Sequence, residues 1–212
     1  MQKETVKYDM SFTAGAAMLN ETHAVASVLI DCDGDWDKAK EITFKENLMQ
    51  KDKATSSARY FALMKQRLEA LNHEELTTLV NCTVSVRRLL VLLAICKAHP
   101  FIYDFISETV RNRFYNQYER ITYADFNEFY NESKYVHPEL EKVTEQTVAK
   151  MRQVVFKIFE QTEIIEDLDS GILRRPYLSE TMERLIVKDD PKWLAIYLYS
   201  NNEINNLAEL YA

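Results

Sequence analysis

Residues 121–176 read ITYADFNEFYNESKYVHPELEKVTEQTVAKMRQVVFKIFEQTEIIEDLDSGILRRP, and this stretch decides the fold of the C-terminal part. Thr122 is placed to cap a helix, because a threonine hydroxyl accepts a hydrogen bond from a free backbone N–H of the first turn. The apolar positions of that helix recur at three-residue spacing and are Tyr123, Phe126 and Phe129. Pro138 disfavours helical backbone at the preceding residue, so a break is expected at residues 136–138. Thr144 then caps a second, longer helix.

The second helix has two distinct faces when residues 145–162 are placed on a wheel at about 100° per residue. Its apolar face consists of Val148, Met151, Val155, Ile158, Phe159 and Thr162. Its polar stripe, on the opposite side, consists of Gln146, Lys150, Gln153 and Lys157. No acidic residue lies within this stripe, although Glu160 borders it. Amides and amines hydrogen-bond base edges and pair with phosphates, so the stripe, with Thr144 and Thr147 at the first turn, predicts a DNA-recognition helix.

A short hairpin is expected after the second helix. Two apolar runs flank Asp169-Ser170-Gly171, and turn residues between apolar runs are typical of a β-hairpin. Arg174 and Arg175 follow on the return arm, where they are placed to hold phosphates beside a DNA groove. With the two helices, this hairpin predicts a winged-helix-like (helix-turn-helix) part. The alternative is ordinary surface chemistry, in which the stripe is the solvent-exposed face of an amphipathic helix and the arginines keep the surface hydrated.

The composition predicts an all-α protein. Only 3 Gly and 4 Pro occur among 212 residues, while helix-forming Leu, Ala, Glu and Lys are abundant. We expect an N-terminal helical bundle over residues 1–120 and the winged-helix-like part over residues 121–212, packed together as one compact unit with at most one small β-hairpin. With 33 acidic against 26 basic residues the net charge is −7, so any binding of nucleic acid must come from a local patch.

The N-terminal bundle is predicted to be organised around a helix of residues 86–99. This helix is apolar on nearly every side over residues 89–96, which is the pattern of a helix buried in a core. A first helix is expected over residues 14–30. Residues 1–9 are polar and are expected to be loose, and residues 51–55 form a basic link.

No catalytic or metal-binding pattern is found, so the sequence predicts no enzymatic activity, no metal and no cofactor. The histidines lack the spacing of a zinc site; they are His23, His73, His99 and His137. The acidic run at residues 31–37 fails as an EF-hand loop, because Trp36 occupies the sixth position, where the loop needs glycine. Asp35 is instead expected to cap a helix that begins at Trp36. Glycine is too scarce for a phosphate-cradling loop, and no nucleophile elbow occurs.

The sequence predicts a cytoplasmic protein with no membrane and no small-molecule substrate among its partners. The N-terminal stretch MQKETVKYDM contains no apolar signal region. The longest uninterrupted apolar run, residues 89–96, is far shorter than the roughly 20 residues of a membrane span. Widely spaced cysteines without a Cys-x-x-Cys pair are typical of reduced thiols; they are Cys32, Cys82 and Cys96.

Several short motifs occur in a set order along the chain. They are Met10-Ser11-Phe12-Thr13-Ala14-Gly15, Gly34-Asp35-Trp36, Glu46-Asn47-Leu48, Arg67-Leu68, His137-Pro138-Glu139-Leu140 and Thr144-x-x-Thr147. In their order and spacing they resemble the BrxA family, small core proteins of bacteriophage exclusion (BREX) defence systems in bacteria. The likeness extends from about residue 10 to about residue 194, and no single motif is chemically diagnostic.

The resemblance implies a cytoplasmic, all-helical, non-enzymatic component of an anti-phage system. The partners that it implies are other BREX core proteins, which include a DNA methyltransferase, large ATPases and a phosphatase-like protein. It also implies contact with double-stranded DNA, in agreement with the polar stripe and the hairpin. The residues assigned to that contact rest on the helical wheel and not on a family motif.

Three functions remain open from the sequence. The first is binding of double-stranded DNA through the helix-turn-helix, for which removal of Lys150 and Lys157 together is expected to flatten the salt dependence by about two units of slope. The second is a protein–protein adaptor that docks larger BREX components without direct DNA contact, through the same surface or the aromatic region of residues 193–199. The third is an RNA-binding helical bundle.

Overall fold

The protein is all-α over residues 6–50 and 54–211, which are the residues that the computed structural model describes. The N-terminal half contains α1 (Leu19–Asp31), α2 (Trp36–Lys45), α3 (Ala54–Glu69), α4 (His73–Asn81) and α5 (Val84–Ala98). After these come α6 (Pro100–Asp104), a π-helical segment (Phe105–Val110), α7 (Arg111–Tyr115), α8 (Tyr123–Ser133), α9 (Glu145–Gln161), α10 (Glu180–Asp189) and α11 (Asn201–Leu210). Short 3-10 helices cover Ser11–Ala14, Pro138–Lys142 and Pro191–Tyr197. The predicted fold class is confirmed, while residues 1–5 of the predicted loose segment and 51–53 of the basic link lie outside the described residues.

The core is built around α5, as the sequence predicts. Every residue from Leu89 to Cys96 is buried, and α5 packs against α1, α3, α4 and α6. The helix begins earlier than expected, because the Thr83 hydroxyl accepts a hydrogen bond from the N–H of Val86 and so caps the first turn. An apolar helix of this kind is stable only inside a protein core, and α5 therefore fixes the positions of the helices around it.

The predicted first helix over residues 14–30 is wrong at its start. Residues 11–18 form a strap, here called the N-terminal strap, that packs on α3 and α9 before α1 begins. The reason is Arg67 of α3, whose buried guanidinium donates hydrogen bonds to the carbonyls of Gly15 at 3.0 Å and Ala16 at 2.6 Å. Gln161 of α9 accepts a hydrogen bond from the N–H of Ala17 at 2.8 Å. These long-range partners hold residues 15–17 out of an α-helix.

The expectation of a loose N-terminus is also wrong where the structure describes it. Tyr8 is buried, its hydroxyl donates to Asp104 at 2.7 Å, and its backbone N–H donates to Glu139 at 2.6 Å. The ring of Tyr8 stacks on His137 with ring centroids 3.5 Å apart. The segment before the strap is therefore tied to α6 and to the turn between α8 and α9.

The C-terminal half contains the two expected helices, joined by a turn. Thr122 caps α8 in a reciprocal capping box with Asp125, and Thr144 caps α9. Isolated antiparallel bridges join Arg120 to Ile172 and Ile165 to Leu173, so the described residues hold a hairpin no longer than single bridges. Gly171 has a φ of +60°, and a Cβ atom there would lie 2.4 Å from the carbonyl oxygen of Ile121, so only glycine fits this turn.

Within the described residues, no single helix is long and apolar enough to cross a membrane. The helical stretches Val84–Ala98 and Pro100–Tyr115 satisfy the length and composition of a span only when taken together, and they are bent by 114° at the break between them.

Candidate nucleic-acid interface

The two faces of α9 lie as the helical wheel predicts. The side chains of Met151, Val155, Ile158 and Phe159 are buried. The polar stripe is on the outside, and its residues Gln146, Lys150, Gln153 and Lys157 are all exposed. The helix is therefore attached through its apolar face and presents amides and amines to solvent.

A groove of about 650 Å³ runs beside this exposed face, and we call it the basic groove. Thr13 of the strap and Tyr123 of α8 form one side of it. The α9 residues that line it are Gln146, Thr147, Ala149, Lys150, Arg152 and Gln153. None of the described side chains lining the groove is acidic, although the whole chain carries a net charge of −7. The basic groove is thus a local region of positive charge on an acidic protein.

The hydrogen-bond partners inside the basic groove leave its positive charge uncancelled. Lys150 donates to the side-chain oxygen of Gln153 at 3.2 Å. Arg152 donates to the side-chain oxygen of Asn127 at 2.8 Å, and its guanidinium lies 4.6 Å from the ring centroid of Tyr123. Amide and aromatic partners orient a cation without neutralising it. Both cations therefore keep their charge available for an anionic ligand.

Arg152 and Thr13 are groove residues that the sequence did not predict. On the wheel Arg152 falls between the polar stripe and the apolar face. The sequence feature that points to Arg152 is on α8, where Tyr123 and Asn127 are four residues apart and so share one face of the helix. Both side chains of this face contact Arg152 of α9. Thr13 reaches the groove only through the strap, which is held by long-range contacts.

The first turn of α9 lies at the end of the groove. The Thr144 hydroxyl accepts a hydrogen bond from the N–H of Thr147 at 3.3 Å, and the two hydroxyls are 2.9 Å apart. A helix N-terminus favours an anion because its free N–H groups and its dipole are positive. Glu145, exposed in the same turn, carries a negative charge that opposes this preference.

The remaining predicted residues are not brought into the groove. Lys157 forms an ion pair with Glu160, one turn further along α9. Arg174 pairs with Glu166 at 2.8 Å. Arg175 pairs with Glu203 at 2.8 Å, and its guanidinium lies 4.2 Å from the ring centroid of Tyr199. Each of these cations has a carboxylate partner, and Arg175 is committed to holding α11.

In the aromatic region of residues 193–199, most of the aromatic surface is buried. Tyr197 is fully buried and donates to the carbonyl of Leu89 at 2.9 Å. Tyr199 is buried and donates to Glu183 at 2.6 Å. Trp193 is half-buried beside Tyr103, with ring centroids 5.1 Å apart. Tyr197 and Tyr199 therefore serve core packing, and Trp193 is the aromatic of this region that keeps part of its surface exposed among the described residues.

His99 and Cys96 are buried in the core. Burial and the nearby Arg67 lower the pKa of His99 to about 3, so its ring is neutral and Nε2 accepts a hydrogen bond from Arg67. Burial raises the pKa of the Cys96 thiol. In the described part of the chain, no group of three or more His, Cys, Asp and Glu side chains is arranged to hold a metal ion.

Fold and site together define an all-α protein whose candidate site is an open, acid-free groove on its surface. The family model for BrxA matches residues 6–190, and the chain belongs to this family. The BREX protein BrxA of Escherichia coli O9:H4 (strain HS) is 24% identical over 164 residues, which cover 77% of this chain and 76% of that relative. Membership in the family confirms the resemblance carried by the motifs and implies a role in BREX phage defence.

A solved structure has the same fold. The crystal structure of an uncharacterized protein from Magnetospirillum magneticum superposes with a TM-score of 0.79 at 20% sequence identity. The superposition covers 91% of this chain and 98% of that chain.

Proposed function

We propose that this BREX component binds double-stranded DNA through the exposed face of α9 and has no enzymatic activity. The observation that carries the proposal is the basic groove, where Lys150 and Arg152 are bonded to amides and no described lining residue is acidic. The negatively charged phosphate backbone dominates the affinity of proteins for DNA, so an acid-free groove on an acidic chain is the surface that DNA would select. We place the protein in the cytoplasm, where it meets DNA and other BREX core proteins.

We further propose that residues 121–212 form a winged-helix-like part on the helical bundle of residues 1–120. Support comes from the order of elements, in which Arg120 precedes α8 and α9, and the bridged residues Ile165, Ile172 and Leu173 follow. The pairing of Arg120 with Ile172 closes the turn against the start of α8. In a helix-turn-helix the second helix is the one that enters the major groove, and that helix is α9 here.

Each predicted side chain, and Arg152 with them, has a specific role in this proposal. Gln146 and Gln153 contact base edges, because an amide donates and accepts in the pattern that adenine presents. Lys150 and Arg152 neutralise phosphates, and Thr144 and Thr147 hold a phosphate at the N-terminus of α9. Lys157 and Arg174 contribute less, because phosphate must first displace Glu160 or Glu166, and Arg175 positions the hairpin through Glu203.

The test is a titration of fluorescent duplex DNA at several salt concentrations. Removing both groove cations with Lys150→Gln and Arg152→Gln is expected to weaken binding and reduce the salt slope by about 1.8 units, at about 0.9 per phosphate contact. The matched control is Lys40→Gln with Lys45→Gln on α2, which removes the same charge from exposed positions outside the groove. An equal change in slope for both pairs would contradict the proposed interface.

The second candidate is an adaptor that docks larger BREX components without DNA contact. It is supported by a separate groove on the other side of α8, whose acidic lining repels nucleic acid. If duplex DNA fails to bind even at low salt, the adaptor becomes the better account. Competition between duplex RNA and duplex DNA separates the DNA-binding function from an RNA-binding one.

A further inference from the structure

A second groove, which we call the acidic groove, lies between α6, the π-helical segment and α8. Its main hollow is about 680 Å³ and is lined in part by Tyr103, Glu108, Phe129, Glu132, Val136 and Trp193. A smaller hollow of about 190 Å³ shares Glu108, Phe129 and Glu132 and adds Glu128. Because the two hollows share these residues, they lie side by side along α8, and we treat them together as one trough.

The charge of this trough is negative once internal ion pairs are taken into account. Glu128 and Glu132 are exposed, and neither forms an ion pair with any residue in the described part of the chain. The cations in the lining have carboxylate partners: Lys97 pairs with Glu75 and Asp189, Arg113 with Asp125, and Lys192 with Asp190. The unbalanced charge at the surface therefore belongs to Glu128 and Glu132.

Apolar side chains stand at the rim of the same trough. Val6 is 65% exposed and Val136 is 57% exposed. Phe129 and the Tyr103–Trp193 pair form apolar parts of the wall. Exposed apolar side chains beside unpaired acids are the complement of a segment that alternates cationic and apolar residues.

We propose that the acidic groove docks a basic segment of another protein, in which Lys or Arg side chains flank an apolar residue. Glu128 and Glu132 attract the cations of the segment, and the valines and aromatics cover its apolar side chain. DNA, RNA and anionic membranes are excluded as occupants by their phosphates. Glu132 lies about 180° around α8 from Tyr123 of the basic groove, at about 100° per residue, so the two grooves can be occupied together.

The experiment measures binding of a fluorescent peptide with three Arg-Leu-Lys repeats to the whole protein, by anisotropy. The test variant carries Glu128→Lys and Glu132→Lys, and the control carries Glu41→Lys and Glu209→Lys, two exposed acids on α2 and α11. Both variants change the net charge by the same amount, and lysine near the C-terminus of α8 suits the helix dipole. Circular dichroism and thermal unfolding check that each variant folds.

The expected result is salt-sensitive binding to the wild type that falls by at least about tenfold in the groove variant and by less than about twofold in the control. Equal losses in both variants would overturn the proposal, because they would show general attraction to an acidic protein. Absence of binding to the wild type would also overturn it. Sedimentation tests a further outcome. If the wild type self-associates and only the groove variant does not, the occupant of the acidic groove is a second copy of the chain, and the proposed basic segment of another protein is overturned.

The outcome is independent of the proposed DNA binding. The peptide experiment contains no DNA, and Glu128 and Glu132 do not line the basic groove. Duplex DNA binding is expected to persist in the Glu128→Lys, Glu132→Lys variant. Failure of one proposal therefore leaves the other intact.

Discussion

The two grooves beside α8 both contain cations, and they differ mainly in the groups to which those cations are bonded. In the basic groove, Lys150 and Arg152 are hydrogen-bonded to the side-chain amides of Gln153 and Asn127. In the acidic groove, the cations that line the described walls are bonded to carboxylates. An amide orients a cation and preserves its charge, whereas a carboxylate cancels it. The sign of each groove follows from these partners.

The same difference in partners divides the predicted DNA-contacting cations into those that are paired with a carboxylate and those that are not. Lys157, Arg174 and Arg175 are cationic and near α9 or its following hairpin, but each is bonded to a glutamate. Lys150 has no such partner among the described residues, and it lines the groove. Counting positive residues along a helix therefore overestimates the charge that a phosphate would meet.

The largest expected effect concerns the N-terminal strap, which contributes Thr13 to the wall of the basic groove, whereas the segment before it contributes Val6 and Tyr8 to the acidic groove. Arg67→Met leaves the carbonyls of Gly15 and Ala16 without their buried donor, and we expect a loss of about 3 kcal/mol in the free energy of unfolding. Denaturant unfolding measures this loss. DNA affinity should fall as well, because Thr13 no longer holds its place in the groove.

The control for this variant is Arg59→Met, an exposed arginine on the same helix, for which the change should stay within about 0.5 kcal/mol. A loss below about 1 kcal/mol in Arg67→Met would mean that the strap carbonyls find other donors.

Local features of this fold could be read from the sequence, and long-range ones could not. The caps at Asp35, Thr122 and Thr144 were predictable because each side chain bonds to backbone within three residues. The apolar run in α5 was predictable because burial on all sides leaves a continuous pattern.

The strap and the ion pair of Arg175 could not be predicted, because their partners are far away in the sequence. Arg67 lies 51 residues from the carbonyl of Ala16 that it holds. Arg175 is bonded to Glu203, on a helix that follows much later in the chain. A helical wheel shows which residues share a face, but it contains no information on what another element brings to that face. The Lys157–Glu160 pair is different, since both residues are on α9 and the border position of Glu160 was visible in the sequence.

A smaller effect tests whether a carboxylate partner prevents a cation next to the basic groove from contacting phosphate. Glu160→Gln removes the charge that pairs with Lys157 but keeps a side chain of the same shape. We expect duplex DNA to bind about threefold more tightly, with a salt slope steeper by at most about 0.9 units, because one further cation becomes available to phosphate. The control is Glu209→Gln on α11, which changes the net charge equally. Equal tightening in both variants would mean that only the overall charge matters.

The smallest expected effect concerns Glu203, whose negative charge can be removed by lowering the pH. Burial opposes ionisation of this side chain, but hydrogen bonds from Ser200, Arg175 and Tyr115 outweigh it and lower its pKa from 4.5 to about 2. A carboxyl group whose pKa is lower in the folded state contributes stability above its unfolded pKa, and the contribution is lost as the pH falls toward the folded value.

We therefore expect the wild type to melt higher than Glu203→Gln near neutral pH and to lose that advantage between about pH 4.5 and pH 2. The difference should be about 2 °C at most, because the side chains of Arg175 and Glu203 are 32% and 40% exposed, and exposed ion pairs contribute on the order of 0.5 kcal/mol. One kcal/mol changes the melting temperature of a chain of this length by about 2–4 °C. Thermal unfolding of both proteins across this pH range measures the difference, with the other carboxyl groups common to both. A difference that persists unchanged at pH 2 would show that the shape and hydrogen bonding of the amide, and not the lost charge, weaken the attachment of α11.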